Sequence, residues 1–271
     1  LDFVLQFADI YVNGSEARKY EDRIIESSDE FMKRLKLPFM VRCIIDSANK
    51  KWRSKAAKVS YDSYRQFEIS FLEKTSKNYN VSSMEPDMLS NLHDKCKELG
   101  VTVNDYLIAQ MMIEDNTDTV LIGADIRKYY EEYEPGSLGN YSSAYSVKVK
   151  KRTDDVWKLA TAVSKRVRKI KGDSSKELLT LSLYNAMEPE LLDAAAVSVL
   201  GDYESEAGLF VGDRMLGFKN GKNHTITNLG KIESNIIDDA YFIPPFSPSA
   251  KKMAGVITIN GKMNTVTFTS N

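Results

Sequence analysis

Apolar residues follow two different periods along this chain, and the change of period separates predicted helices from predicted strands. Residues 1–12 carry apolar positions three and four apart, including Phe7 and Tyr11, and so predict a helix. The stretch from 15 to 60 is highly charged, and we expect one helix there and a long excursion of low order. Residues 61–73 alternate apolar and polar side chains from Phe67 to Phe71, a pattern typical of a strand.

The next two predicted helices have recognisable ends. A stripe of leucines and Cys96 at helical spacing predicts the first helix, which Gly100 ends as a C-cap. Thr102, with Asp105 three residues later, matches the capping box that begins a second helix.

The remaining pattern alternates strands and helices and finishes with strands. A short continuous apolar run at 119–124 predicts a buried strand, and 141–150 predicts another. Thr153 is expected to cap a helix that Gly172 ends, and 176–200 is a leucine-rich helical region. Candidate strands follow at 208–211, 225–228, 240–243 and 254–259.

Asn260-Gly261 joins two β-rich runs and predicts a type I′ hairpin. Strands that alternate with helices and end in an antiparallel pair predict an α/β fold, a mixed β-sheet flanked by helices.

The overall composition favours a globular protein without a membrane span. Hydrophobic residues make up 42% and charged residues 28% of the 271 positions, and the formal net charge is -1. This balance argues against a dedicated nucleic-acid-binding protein, and no apolar run reaches the length of a membrane helix. Two cysteines provide neither a disulfide framework nor a metal quartet, so we expect a reducing, cytoplasmic location.

Two constellations could serve binding. Arg127 follows a predicted strand and precedes Gly139 and Asn140; it could hold a carboxylate, or it could form a strand-end ion pair. In the second, a β-branched strand ends with Thr227, Asn228, Leu229 and Gly230, whose amides could line a channel or face an oxyanion, or could form a simple turn.

The order of these motifs is similar to that of a known family. Five motifs follow one another along the chain: Thr102 to Leu107 on a helix, Gly123 to Arg127, Leu138-Gly139-Asn140, Thr227 to Gly230 and the final hairpin. In this order they resemble the second lobe of the CoA-dependent acyltransferase superfamily. That group includes chloramphenicol acetyltransferase and peptide-synthetase condensation domains, and its alcohol acetyltransferase-like branch is the most similar. The resemblance covers about residues 80–270.

The resemblance implies a chloramphenicol acetyltransferase-like two-lobe fold, with 1–75 as a remnant of the first lobe and connecting segment and 76–271 as the second lobe. It implies transfer of an acyl group from a CoA or carrier-protein thioester to an alcohol or amine. Thr227, Asn228, Gly230, Asn140 and Arg127 would then lie on the substrate side. The acyl donor and acceptor would be small molecules, with the thioester as co-substrate and no tightly bound cofactor.

The enzymes that the chain resembles carry a His-His-x-x-x-Asp-Gly motif, in which the second histidine acts as the base. No two adjacent histidines occur in this sequence. We therefore expect the chain to begin just past that motif, to lack most of the N-terminal lobe, and to contain no catalytic residue and no metal site. The alternative hypothesis is a non-catalytic binding or interaction lobe. A nucleic-acid-binding domain, based on the basic residues at 165–171, is a third and weaker one.

The two histidines have structural interpretations as well as chemical ones. His93 and Cys96 lie three residues apart on one predicted helix, where a Cys–His dyad or a metal pair is conceivable, but a buried structural cysteine is the commoner case. His224 precedes the Thr227 strand and could titrate near a ligand or simply lie at a loop edge.

Overall fold

A computed structural model describes residues 2–16, 28–55, 58–74, 77–134, 137, 139–150, 153–220, 223–245 and 250–270. In a few of these residues, among them 2–5, it describes the backbone alone. The helices are α1 (Asp2–Asn13), α2 (Asp29–Arg34), α3 (Phe39–Ser54), α4 (Tyr61–Lys74), α5 (Pro86–Glu98), α6 (Val103–Glu114), α7 (Val156–Lys171), α8 (Ser174–Glu177), α9 (Leu179–Ala186), α10 (Pro189–Leu200) and α11 (Glu206–Leu209). The strands are β1 (Lys77–Met84), β2 (Thr119–Asp125), β3 (Ser142–Lys148), β4 (Asn223–Ile232), β5 (Ala250–Ile259) and β6 (Lys262–Ser270).

The six strands form one mixed sheet in the order β1-β6-β5-β4-β2-β3. The central strands β5, β4 and β2 run parallel to one another, and the remaining neighbours pair antiparallel. The predicted mixed sheet with flanking helices is confirmed.

The hairpin between β5 and β6 turns where the sequence predicts. Asn260 has a φ of 48° and Gly261 a φ of 84°, so both turn residues adopt the left-handed conformation that a type I′ turn requires. Asparagine and glycine tolerate that conformation best, which explains why local sequence determines this turn.

The ends of α5 and α6 also follow local chemistry. After α5, the Gly100 N–H donates to the Lys97 carbonyl and the Val101 N–H to the Cys96 carbonyl, which is the Schellman pattern. The Asp105 N–H donates to Thr102 Oγ1 at 3.1 Å, and the Thr102 N–H donates to Asp105 Oδ2 at 2.9 Å. The predicted capping box is therefore present.

The strand predicted at 61–73 is wrong, because these residues form α4. The apolar residues there satisfy both periods, and the helix brings Phe67 against Tyr64 and Phe71 with ring centroids 6.0 and 5.8 Å apart. Phe67 is also buried and approaches the C-terminal end of α10 at Gly201. This packing favours the helix over the strand.

Two other local predictions are corrected, and one strand was not predicted. The charged segment at 15–60 contains α2 and the long helix α3, not one helix with an excursion of low order, although 17–27 and 56–57 lie outside the described residues. Asp155, not Thr153, caps α7, since its Oδ1 accepts from Trp157 N and Lys158 N. Strand β1, with its alternating Tyr79 and Val81, had no counterpart among the predicted strands.

Two of the four C-terminal strand candidates are wrong. Residues 208–211 fall in α11 and the π-helix Phe210–Met215, where Gly208 and Gly212 lie directly against the α10 backbone at Ala194 and Ala195. Residues 240–243 form no strand but cross the sheet in an extended loop, with the Phe242 carbonyl oxygen over Gly255.

The sheet is covered on both faces, and a further cluster lies among the helices. On one face, side chains of β2, β3, β4 and β5 pack with α5, α6 and α7. On the other, Ile232, Ile257 and Ile259 pack against Ile237 and Phe242. A separate cluster joins α3 to α9, α10 and α11. Burial on both faces makes β5 the central strand of the core.

Across the described ranges, no helix is both long and apolar enough to cross a membrane.

Candidate functional site

The end of β4 departs from regular pairing at the predicted Thr-Asn-Leu-Gly motif. Its register with β5 shifts between Asn228 and Lys231, which leaves Leu229 and Gly230 as a bulge. Gly230 has a φ of 83°, a conformation that costs a residue with a side chain roughly 1–2 kcal/mol. Its N–H donates to Asn228 Oδ1 at 2.8 Å, which fixes the orientation of the carboxamide.

Thr227 lies on the opposite side of this strand end, against β2. The β2–β4 ladder consists of Leu121 opposite Thr225 and Ile122 opposite Ile226. Just beyond it, a Cβ on Gly123 would lie 3.1 Å from Thr227 Oγ1, so glycine allows the threonine side chain to approach the β2 backbone closely. The motif therefore sits where β2 and β4 stop pairing, at the C-terminal ends of the parallel strands.

A cavity of about 340 Å³ opens beside the bulge, at the lower end of the range for small-molecule sites. Its wall combines the first turns of α5, the start of α6, the bulge and the hairpin. The lining residues are Pro86, Leu89, Ser90, His93, Val103, Asn228, Gly230, Lys231, Thr258, Gly261 and Met263. Two residues of the predicted site, Asn228 and Gly230, are thus brought to one cavity.

His93 belongs to this cavity, although it is not among the substrate-side residues predicted from the sequence. It is exposed on α5 and lies one helical turn from Ser90, so both side chains reach the same wall. Cys96, by contrast, is 2% exposed in the core, and burial raises the pKa of its thiol. The structure therefore places the two members of the conceived Cys–His dyad in different environments. Helical spacing puts His93 at the flank of the buried stripe, and the open cavity beside that flank is formed by the packing of α5 against the bulge and the hairpin.

Arg127 lies at the end of β2 and is occupied by local partners. Its Nε donates to both carboxylate oxygens of Asp125 at 2.9 Å, and Nη2 donates to Oδ2 at 2.6 Å. These bonds lower the pKa of Asp125 and raise that of Arg127. The guanidinium also lies 5.6 Å from the centre of the Tyr133 ring. This geometry matches the strand-end ion pair that the sequence left open.

Asn140 likewise makes local bonds, at the start of β3. Its Oδ1 accepts from the Ser142 N–H at 3.1 Å and from Ser142 Oγ at 2.5 Å. The preceding Gly139 lies so close to the Tyr141 ring that a Cβ would be 2.8 Å from Cζ. Leu138 of the same motif lies outside the described residues. Neither Arg127 nor Asn140 lines the cavity that holds Asn228.

The other chemically interesting residues lie elsewhere. His224 is buried within β4 and not at a loop edge. The basic residues of 165–171 are exposed at the end of α7, where cations suit a helix C-terminus, and Arg168 donates to the Gly100 carbonyl; they are Lys165, Arg166, Arg168, Lys169 and Lys171. Within the described part of the chain, no three His, Cys, Asp or Glu side chains come together as a metal site.

No protein-family model matches this sequence, and no curated protein matches it. Several solved structures are similar in part. The epimerization domain from the third module of tyrocidine synthetase B is 13% identical, with 89% of this chain and 52% of that chain covered and a TM-score of 0.44. For the TRI3 trichothecene 15-O-acetyltransferase from Fusarium sporotrichioides, the identity is 9%, the coverage 77% and 47%, and the TM-score 0.48.

The PapA2 acyl transferase is 9% identical, with 82% of this chain and 49% of that chain covered and a TM-score of 0.41. This chain thus spans about half the length of each of the three structures.

Proposed function

We propose that residues 76–271 form the second lobe of a CoA-dependent acyltransferase-like protein and that the cavity beside the β4 bulge binds an acyl thioester. The observation that carries the proposal is the position of Asn228 and Gly230. The motif that the sequence resemblance puts on the substrate side forms a bulge that opens directly onto a cavity.

The chemistry of the wall suits a thioester. Pro86, Leu89, Val103 and Met263 offer apolar surface for an acyl or pantetheine chain. Because Asn228 Oδ1 accepts from Gly230, the amide nitrogen of Asn228 is the end of the carboxamide that is left to donate to a carbonyl oxygen. In the transfer reaction the acceptor alcohol or amine would attack that carbonyl, and the base would belong to the histidine motif of the other lobe.

The roles of the predicted residues differ within this proposal. Asn228 and Gly230 would contact the thioester, and Thr227 would hold the strand end against β2. Arg127 and Asn140 would support the neighbouring β2–β3 end through their bonds to Asp125 and Ser142.

Calorimetric titration of the chain with acetyl-CoA, CoA and pantetheine tests the proposal. We expect acetyl-CoA to bind and Asn228→Ala to weaken binding about tenfold, the value of one hydrogen bond of about 1.4 kcal/mol. Gly230→Ala should also weaken binding, because its φ of 83° strains a side chain and distorts the bulge.

Gly217→Ala is the matched control, since Gly217 has a φ of 71° but lies outside the cavity. It should lose a similar amount of stability and keep its affinity. Equal affinities of the wild type and Asn228→Ala would contradict the proposed site.

The alternative is a lobe that binds another macromolecule and no thioester. It is favoured by large apolar side chains that face solvent near the start of the chain: Phe7 is 62% exposed, and Tyr11 and Phe39 are each 82% exposed. A wild-type chain that binds none of the three titrants would support this alternative over the thioester site.

A further inference from the structure

The cavity beside the β4 bulge contains a proton acceptor that the acyltransferase resemblance does not assign. Helix α5 begins at Pro86, and its buried side is formed by Leu89 and Cys96. His93 follows Leu89 by four positions and precedes Cys96 by three, so it flanks that stripe, and Ser90, His93 and Leu89 all line the cavity. The imidazole and the Asn228 carboxamide therefore line the same cavity.

Two described side chains of the cavity wall carry titratable groups, His93 and Lys231. The Lys231 ammonium pairs with the Glu233 carboxylate at 2.6 Å, so it already has a partner. Imidazole is the side chain that changes charge between pH 5 and 8, and a neutral ring nitrogen can accept a proton from water. His93 is thus the group on this wall suited to act as a base.

The rest of the wall complements a base. The Asn228 amide nitrogen can donate to a developing oxyanion, and its carboxamide is held in one orientation by the Gly230 N–H. The hydroxyls of Ser90 and Thr258, which also line the cavity, can donate hydrogen bonds to water and accept them from it. A base, an oxyanion donor and water-binding groups therefore surround one cavity.

We propose that His93 makes this cavity a hydrolytic site for acyl thioesters, an activity separate from transfer to an alcohol or amine. The neutral imidazole takes a proton from water, and the water oxygen forms a bond to the thioester carbonyl carbon. The resulting oxyanion accepts a hydrogen bond from Asn228. The C–S bond then breaks, and the departing sulfur takes the proton from the imidazolium, so that thioester and water give a carboxylic acid and a thiol. This inference rests on the proposed function, because the cavity must bind the thioester.

The test follows release of CoA from acetyl-CoA by the full chain, separated by chromatography so that the protein thiols do not contribute. We expect release above the buffer blank. His93→Ala should lower the rate by on the order of 10² or more, the usual contribution of a positioned base. Added imidazole should restore part of the rate in His93→Ala.

Asn91→Ala is the matched control, since Asn91 is exposed on the same helix and outside the cavity. It should hydrolyse acetyl-CoA at the wild-type rate. Titration of the same variants with acetyl-CoA separates the two proposals, because His93→Ala should still bind it.

Three results would overturn the role of His93. The first is CoA release no faster than the blank by a chain that binds acetyl-CoA. The second is a rate of CoA release in His93→Ala equal to that of the wild type. The third is an acetyl group found covalently on Ser90 by mass spectrometry. Failure of the wild type to bind acetyl-CoA would instead contradict the proposed function itself.

Discussion

At the scale of single residues, burial determines which groups in this chain can react. Cys96 and His93 are three positions apart on α5, yet the thiol is in the core and the imidazole is in an open cavity. Burial raises the pKa of Cys96, which lowers the fraction of reactive thiolate. Cys43, on α3, is exposed.

The two thiols should therefore differ in reactivity towards an aromatic disulfide reagent at pH 8. We expect one thiol per chain to react quickly in the native protein and both to react in denaturant. Cys43→Ser should abolish the fast reaction, while Cys96→Ala should leave it. Fast reaction of Cys96 in native Cys43→Ser would contradict the burial of this residue.

At the scale of elements, the ends of α5 and α6 are determined by hydrogen bonds within a few residues. The capping box of α6 joins Thr102 and Asp105 through two such bonds. Because Asp105 is 3% exposed, the box also gives a buried carboxylate its partner.

Thr102→Ala should lower the free energy of unfolding by about 1 kcal/mol, because a first-turn N–H loses its acceptor. Denaturant unfolding followed by circular dichroism measures the change. Thr161→Ala is the control, since Thr161 lies inside α7 and its hydroxyl donates to the Trp157 carbonyl of the same helix. There, the higher helix propensity of alanine should keep the change near zero. An equal loss in both variants would show that the cap is not the cause.

At the scale of the whole molecule, the strands of the sheet differ in how well their amides are protected from solvent. Strand β5 has neighbours on both sides and is buried along seven successive positions from Met253 to Ile259. Strand β1 pairs with β6 along one edge, and residues 78–83 are exposed. Exchange of β5 amides with solvent therefore requires opening of the core, whereas β1 can separate locally.

Hydrogen exchange should accordingly be slowest in β5 and much faster in β1. Mass spectrometry of peptides that cover 253–259 and 78–84 measures both rates. Val256→Ala, which leaves a cavity at a fully buried position, should speed exchange in the β5 peptide more than in the β1 peptide. Comparable protection of the two strands would contradict this arrangement of the sheet.

The sequence by itself determined the features that depend on neighbouring residues. The Asn260-Gly261 turn, the glycine end of α5 and the capping box of α6 each satisfy a backbone requirement within a few positions. The mixed sheet also followed from sequence, because alternating strand and helix patterns restrict the possible layers.

The tertiary structure decided what the local pattern left ambiguous. Residues 61–74 fit both periods, and packing of Phe67 beside α10 selects the helix. Residues 208–211 become helical where Gly208 and the following Gly212 allow close contact with α10. The cavity itself depends on long-range packing, since it joins His93 of α5 to Asn228 of β4. Sequence spacing carries no information on such a contact, because it is set by how the helix packs on the sheet.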